Sequence, residues 1–263
     1  MTYIITALHA EARPFLDRYK LKRIETLPFA LYENEEILLA VTQSGYENAM
    51  IATAALLAYR KANAHDLLIN IGICGAPTRY KIGSMLIIHK IMHQTHSYYP
   101  DILLSHPFEE SDLITVNEAQ STSIEQPVDM EAYPIFKVAS RFMQLHQLLF
   151  IKIVSDHFEP KRVNKEDAIA LIAAKIPQIE TLIHASHHLF NENPLYTQEE
   201  QSLIKAFKSQ LTKSQQSQLD DALHYFRLKK RCPLEHKLFE TADLHHKKKR
   251  GEAFEELIST LYL

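Results

Sequence analysis

The sequence predicts an α/β sandwich around a mixed sheet, followed by a helical C-terminal extension. Three observations carry that expectation. Short apolar, β-branched runs alternate with stretches of helical apolar spacing. Of five glycines, Gly45, Gly72, Gly75 and Gly83 fall within one window of 39 residues, as turns and close backbone approaches require. After about Asn191 the composition shifts to Gln, Lys, Leu and Glu, without a strand candidate. The expected division is residues 1–190 as one domain and 191–263 as the extension, with Asn193-Pro194 marking the boundary.

Each element follows from its residues. Tyr3-Ile4-Ile5-Thr6-Ala7 is a strand, and Glu11 to about Lys20 a helix with Pro14 in its first turn, where a missing N–H costs little. Residues 28–33 and 36–43 flank Asn34-Glu35 and form a hairpin. Ser44-Gly45 ends its second arm, and Asn48–Arg60 is an alanine-rich helix. Asp66–Ile71 is continuously apolar, the pattern of a strand covered on both faces. Gly72–Pro77 is expected to turn, and Ser84–His93 to be a further strand. Residues 97–127 are polar and unpatterned, so loops are expected there. Val128-Asp129-Met130-Glu131-Ala132 opens a helix that continues through Ile135, Val138, Ala139, Phe142 and Leu145. Residues 149–154 form a buried strand that stops at Ser155-Asp156. Asn164–Leu189 carries isoleucines at helical spacing, with a kink expected at Pro177.

Bulk properties narrow the function classes. A chain of 263 residues, 46% hydrophobic, can bury a large core. The net charge of −3 creates no global field toward nucleic acid or membrane. Cys74 and Cys232 lie far apart, so a reducing compartment is expected rather than a disulfide framework. The N-terminus has no signal-peptide pattern, and no apolar run reaches the roughly 18 residues of a membrane span. A soluble, cytoplasmic protein is expected.

Three acids at element ends suggest a site: Glu11 after the first strand, Glu131 at a helix start, and Asp156 at a strand end. Ligands of open α/β sheets sit at strand ends. Plainer accounts exist for each. Glu11 and Glu131 suit the positive end of a helix dipole, and Asp156 can cap a turn.

Taken in order, Glu11, Ser44-Gly45, Asn70-Ile-Gly72-Ile-Cys-Gly75, Val-Asp-Met130-Glu131-Ala and Val-Ser155-Asp156 resemble the nucleoside phosphorylase/nucleosidase superfamily. Within it the likeness is to the methylthioadenosine/S-adenosylhomocysteine nucleosidases, over about residues 1–190. The resemblance implies a three-layer α/β/α sandwich that cleaves the N-glycosidic bond of a purine nucleoside, with no metal or organic cofactor and as a homodimer. It further implies that Asp156 serves the purine N7, with Ser155 positioning it. Glu131 would hold the ribose hydroxyls, with Met130 packed on the sugar, and Glu11 would activate water. Ile73 and Gly75 would line the substrate. Phosphorylases of the superfamily bind phosphate through arginines, so a carboxylate at position 11 favours hydrolysis, while Arg13 and Arg79 keep phosphorolysis open.

The departures from the pattern are Tyr46-Glu47 after Gly45, Ile73 itself, and a short stretch between Tyr98-Tyr99-Pro100 and Val128. They motivate an alternative from another class, a catalytically weak nucleoside-binding adaptor whose tail is its interaction module. Tyr98 and Tyr99 either close the pocket, join a subunit interface or pack in the core. His184, His187 and His188 have ligand-like spacing but no evident third ligand type. The tail's basic clusters, Arg227–Arg231 and His245–Arg250, are interleaved with acids and read as a solvated face, so nucleic acid is not an expected partner. Leu257, Ile258, Leu261 and Tyr262 form an apolar terminus expected to dock on the body or on a second subunit.

Overall fold

The computed structural model describes residues 1–25, 27–192, 196–230, 234 and 247–262. It divides into two units, Met1–Asn191 and Glu192–Leu263. In chain order the first unit runs β1 (Thr2–Thr6), α1 (His9–Tyr19), β2 (Lys22–Ile24), β3 (Ala30–Glu33), β4 (Ile37–Val41), α2 (Tyr46–Tyr59) and β5 (Leu67–Gly75). It continues with β6 (Met85–His93), β7 (His96–Tyr98), β8 (Glu109–Thr115), β9 (Val128–Asp129), α3 (Ala132–Ala139), β10 (Leu148–Asp156), α4 (Lys165–Ala173) and α5 (Ile176–Glu192).

These strands form one mixed sheet. β1 lies between β4 and β5, parallel to both. On one side, the antiparallel pairs β4–β3 and β3–β2 extend the sheet. On the other, β5 pairs with β10 and β9, β10 with β6, β6 with β8, and β8 with β9. Those five strands therefore close into a ring, which leaves few unpaired backbone groups at this end of the sheet.

Alternation along the strands builds two cores. Tyr3, Ile5, Leu38, Ala40, Leu68 and Phe150 point to one face with residues of α2 and α3. Ile4, Leu39, Ile69, Ile151 and Ile153 point to the other, with Phe15 of α1 and Ile172, Ile179 and Ile183 of α4 and α5. Successive side chains of a strand face opposite ways, so one apolar run feeds both layers. The result is the three-layer α/β/α sandwich with a mixed sheet that the sequence led us to expect.

Several local expectations need correction. The 97–127 region contains most of β7 and all of β8, where loops were expected. β8 reads Glu-Glu-Ser-Asp-Leu-Ile-Thr, and its buried positions are Ser111, Leu113 and Thr115. Two of these three are hydroxyl residues, satisfied by hydrogen bonds with Tyr80 and Asp129, so hydropathy does not reveal the strand. Gly72–Gly75 do not turn; they extend β5 in register with β10. Pro14 lies beyond the first turn because α1 begins at His9. The single helix expected over 164–189 is two, α4 and α5, bent by 49°. Pro177 is the second residue of α5, where its missing N–H is tolerated, and its ring would clash with the Ala173 carbonyl of a continuous helix. The helix after Met130 stops at Ala139, leaving Phe142 exposed and Leu145 in a short 3-10 turn. β2, too short and charged to be foreseen, forms the sheet edge.

The second unit is helical, with α6 (Gln198–Lys208), α7 (Lys213–Lys230) and α8 (Lys247–Tyr262). Ile204, Phe207, Leu219, Leu223, Phe254, Leu257 and Leu261 form its own apolar cluster. Leu257 and Leu261 therefore pack within this unit. Buried Glu200 accepts from the Thr197 and Leu234 amides and pairs with Arg227, so part of the first basic cluster is a structural ion pair. Asn193, Pro194, Arg231, Cys232, Glu235, Glu240, His245 and His246 lie outside the described residues. Among the described residues no single helix is long and apolar enough to cross a membrane.

Ile151 is fully buried on the strand shared by β5 and β6. Ile151→Ala should therefore lower the unfolding free energy by about 2–5 kcal/mol, read from the urea midpoint; a change below about 1 kcal/mol would contradict this packing.

Candidate active site

Glu11 stands in the first turn of α1, just past the end of β1. Three backbone N–H groups converge on its carboxylate, Ala7 and Leu8 on Oε2 and Ile73 on Oε1, each at 2.9 Å. The side chain is thus not a solvated first-turn acid; the residue is 3% exposed. Gly72 makes room for it, since a Cβ there would lie 2.9 Å from Oε1. Burial raises the Glu11 pKa to about 7, while the Ile73 and Leu8 amides and the Lys152 charge pull it down and the Glu131 charge adds to the rise.

Glu131 occupies the N-cap position of α3, but its side chain makes no capping hydrogen bond there. Its Oε1 reaches the start of α2, accepting from the Ser44 hydroxyl at 2.9 Å and the Gly45 amide at 2.8 Å. Gly45 has φ +106°, a conformation that L side chains rarely adopt, so its identity follows from the backbone that presents this amide. Burial, with Asp129 nearby, raises the Glu131 pKa, and the Lys152 charge and the two donors oppose that rise. Met130 is half-buried, its sulfur 3.8 Å from the Ser44 hydroxyl.

Asp156 ends β10, opposite Gly75, after a register shift. The Ser155 hydroxyl donates to its Oδ2 at 2.7 Å and lies 3.1 Å from the Cys74 carbonyl. Its Oδ1 accepts from the Glu159 amide at 2.7 Å. The turn-capping role expected of a strand-end acid is therefore present, beside a carboxyl that also faces a cavity. A Cβ at Gly75 would stand 3.4 Å from Asp156 Oδ1.

Glu11, Glu131, Asp156, Met130, Ser155, Ile73 and Gly75 all line one cleft of about 620 Å³, within the first unit. Further walls come from the start of α1 (Leu8, His9), the connection after β8 (Val116, Ala119, Gln120) and the connection from β10 into α4 (Pro160, Val163, Lys165). Cys74 lines it as a buried residue whose thiol is pushed well up by burial. Tyr98 and Tyr99 are not part of it. Tyr98 packs in an aromatic cluster with Tyr133 and Phe136, and Tyr99 is exposed. Arg13 pairs with Asp17 on an exposed helix face, and Arg79 lies over the Tyr80 ring; neither lines the cleft. His187 bonds the Thr2 hydroxyl, and among the described residues no three His, Cys, Asp or Glu are placed to hold a metal ion.

Two groups at the site carry no role in the sequence reading. Lys152 is 1% exposed and forms a 2.8 Å ion pair with Asp129, which also lines the cleft. The signal was present: a lysine at the centre of Phe-Ile-Lys-Ile-Val, in a strand buried throughout, requires a buried counter-charge.

No protein-family model matches the chain, and no curated protein sequence matches it. Solved structures do. The 5′-methylthioadenosine/S-adenosylhomocysteine nucleosidase of Neisseria meningitidis, in complex with methylthio-immucillin-A, superposes with TM-score 0.58 at 18% identity, covering 70% of this chain and 98% of its own. The chain has the fold of these nucleosidases. The Colwellia psychrerythraea nucleosidase, in complex with adenine, gives 0.58 at 14% identity and covers 70% and 94%. The Arabidopsis thaliana 5′-methylthioadenosine nucleosidase gives 0.56 at 17% identity and covers 72% and 95%.

The contact between Gly72 and Glu11 is testable without a substrate. Gly72→Ala should cost about 1–3 kcal/mol by forcing the Glu11 carboxylate off its amide donors. In a Glu11→Ala background the same change should cost much less, a coupling of about 0.5–3 kcal/mol in a double-mutant cycle of urea unfolding. Additive effects would show that the two do not compete for one space.

Proposed function

We propose that this protein is a hydrolase that cleaves the N-glycosidic bond of a purine nucleoside of the methylthioadenosine/adenosylhomocysteine type. The observation that carries the reading is the convergence of Glu11, Glu131 and Asp156 on a single cleft. Its volume of about 620 Å³ suits a sugar joined to a bicyclic base, since small-molecule pockets span about 300–1,000 Å³. The shared fold supports the reading, as does the nucleoside analogue held by the Neisseria protein.

The chemistry assigns each side chain a task. As the C1′–N9 bond breaks, its electron pair passes to the purine, and positive charge grows on the ribose. Asp156 delivers a proton to N7, so that the base leaves neutral, and Ser155 fixes the acid through its hydroxyl. Glu131 receives the ribose hydroxyls beside Met130, and its negative charge stabilises the cationic sugar. Glu11 takes a proton from water as the oxygen bonds to C1′, giving the ribose with its 5′ substituent intact and the free base. Ile73 and Gly75, near the C-terminal end of β5, border the base and sugar.

Water rather than phosphate is favoured as the nucleophile, because Arg13 and Arg79 stay out of the cleft. Base release from methylthioadenosine in phosphate-free buffer should proceed at full rate. Strict phosphate dependence would select a phosphorylase, and no release across a purine nucleoside panel would favour the binding adaptor.

Glu11 must be ionised to accept a proton, so kcat/KM should rise with pH through a midpoint near 7, set by its raised pKa. The sign follows directly: below that midpoint the carboxyl is protonated and the rate falls tenfold per pH unit. A rate flat between pH 5 and 8 would remove Glu11 from the role of base. Asp156→Asn should lower kcat by about 10²–10⁴-fold, measured by adenine release; an unchanged kcat would remove Asp156 from the role of acid.

A further inference from the structure

The proposed mechanism leaves Lys152 unused, although it is the most deeply buried cation of the first unit. Its place is defined by its strand register, by its distance from Gly72 and by one ion pair. It lies opposite Gly72 in the β10–β5 register. Its Nζ would stand 3.5 Å from a Cβ at Gly72, the same point that Glu11 Oε1 approaches to 2.9 Å. Its ion pair at 2.8 Å is with Asp129 Oδ2. Asp129 is itself anchored, accepting from the Ala132 amide at 2.8 Å and the Thr115 hydroxyl at 2.7 Å. Lys152 is therefore tied to the start of α3, immediately beside Glu131.

The ionisable groups that act on the ammonium are acids and a thiol. Glu11 comes from α1, Asp129 from β9, Glu131 from the start of α3 and Cys74 from β5, with Asp156 further along β10. Three buried carboxylates around one cation would carry a net negative charge if all were ionised. In a low-dielectric site like charges disfavour ionisation, and an opposite charge within about 4–6 Å shifts a carboxyl by about 1–3 pH units.

We propose that Lys152, held by Asp129, is a positioning residue whose ammonium is the counter-charge that allows Glu11 and Glu131 to be ionised together. It acts through Glu11 and need not touch the substrate. The inference rests on the nucleosidase reading and deepens it: the Lys152–Asp129 pair sets the acid limit of activity, with the two partners acting in opposite directions. Loss of the ammonium makes Glu11 harder to ionise. Loss of the Asp129 charge leaves the ammonium to Glu11 and Glu131 and makes ionisation easier.

The test is the pH dependence of kcat/KM for methylthioadenosine, measured on wild type, Lys152→Met, Lys152→Arg and Asp129→Asn. The acid midpoint of Lys152→Met should move up by about one to three pH units. At pH 7 its activity should fall by about 5-fold for a one-unit shift and about 500-fold for a three-unit shift, with recovery above the new midpoint. Lys152→Arg should keep the wild-type midpoint within about half a unit, and Asp129→Asn should move it down. A purely structural lysine would instead lower activity equally at all pH values, and that result, or an unmoved midpoint in Lys152→Met, overturns the proposal. Should Lys152→Met not fold, Asp129→Asn decides: a downward shift supports the proposal and an unchanged or raised midpoint overturns it. A wild-type protein without activity on any purine nucleoside would instead count against the nucleosidase reading itself.

Discussion

Burying charge is the constraint around which this site is arranged. Taking a carboxylate out of water costs several kcal/mol unless donors replace the lost hydration. Here backbone supplies most of them. The strand-to-helix connection after β1 and the mid-strand amide of Ile73 satisfy Glu11, while the start of α2 satisfies Glu131. Amides fixed by the sheet and helices cannot rotate away, so the carboxylates are oriented before any ligand arrives.

That arrangement explains why glycine is sparse yet concentrated. Gly45 serves a positive-φ turn that presents an amide to Glu131, while Gly72 leaves space for the Glu11 carboxylate. Neither substitution could be absorbed by a small side-chain adjustment. At Gly45 the backbone is strained for any L residue, and at Gly72 the neighbouring oxygen is held by an amide of the adjacent residue.

Much of this was legible in the residues themselves. The apolar runs of β1, β5 and β10 gave strands, the alanine-rich run gave α2, and the acids at element ends all reached the cleft. What stayed hidden depends on contacts between distant segments. β8 is stabilised by pairing with β6 and by buried hydroxyls, which its polar composition does not disclose. The Gly72–Gly75 segment looks like a turn because glycine usually marks one, yet β10 holds it extended. Lys152 was visible as a charge in an apolar strand, but its partner Asp129 arrives from another element and only the fold brings the two together. In the tail, helicity followed from composition, whereas the packing of Leu257 and Leu261 into their own cluster did not.

The ring formed by β5, β9, β8, β6 and β10 has a consequence for how this molecule can change. The segment between Thr115 and Val128 is long, but its two ends are stitched together by the pairing of Ile114 with Val128 and of Thr115 with Asp129. Its middle contributes Val116, Ala119 and Gln120 to the cleft wall. Residues can be inserted, deleted or exchanged there while the strands that carry the acids keep their alignment. The wall of the cleft can therefore be altered in that segment independently of the three acids, as a lock can be re-keyed without recasting its bolt.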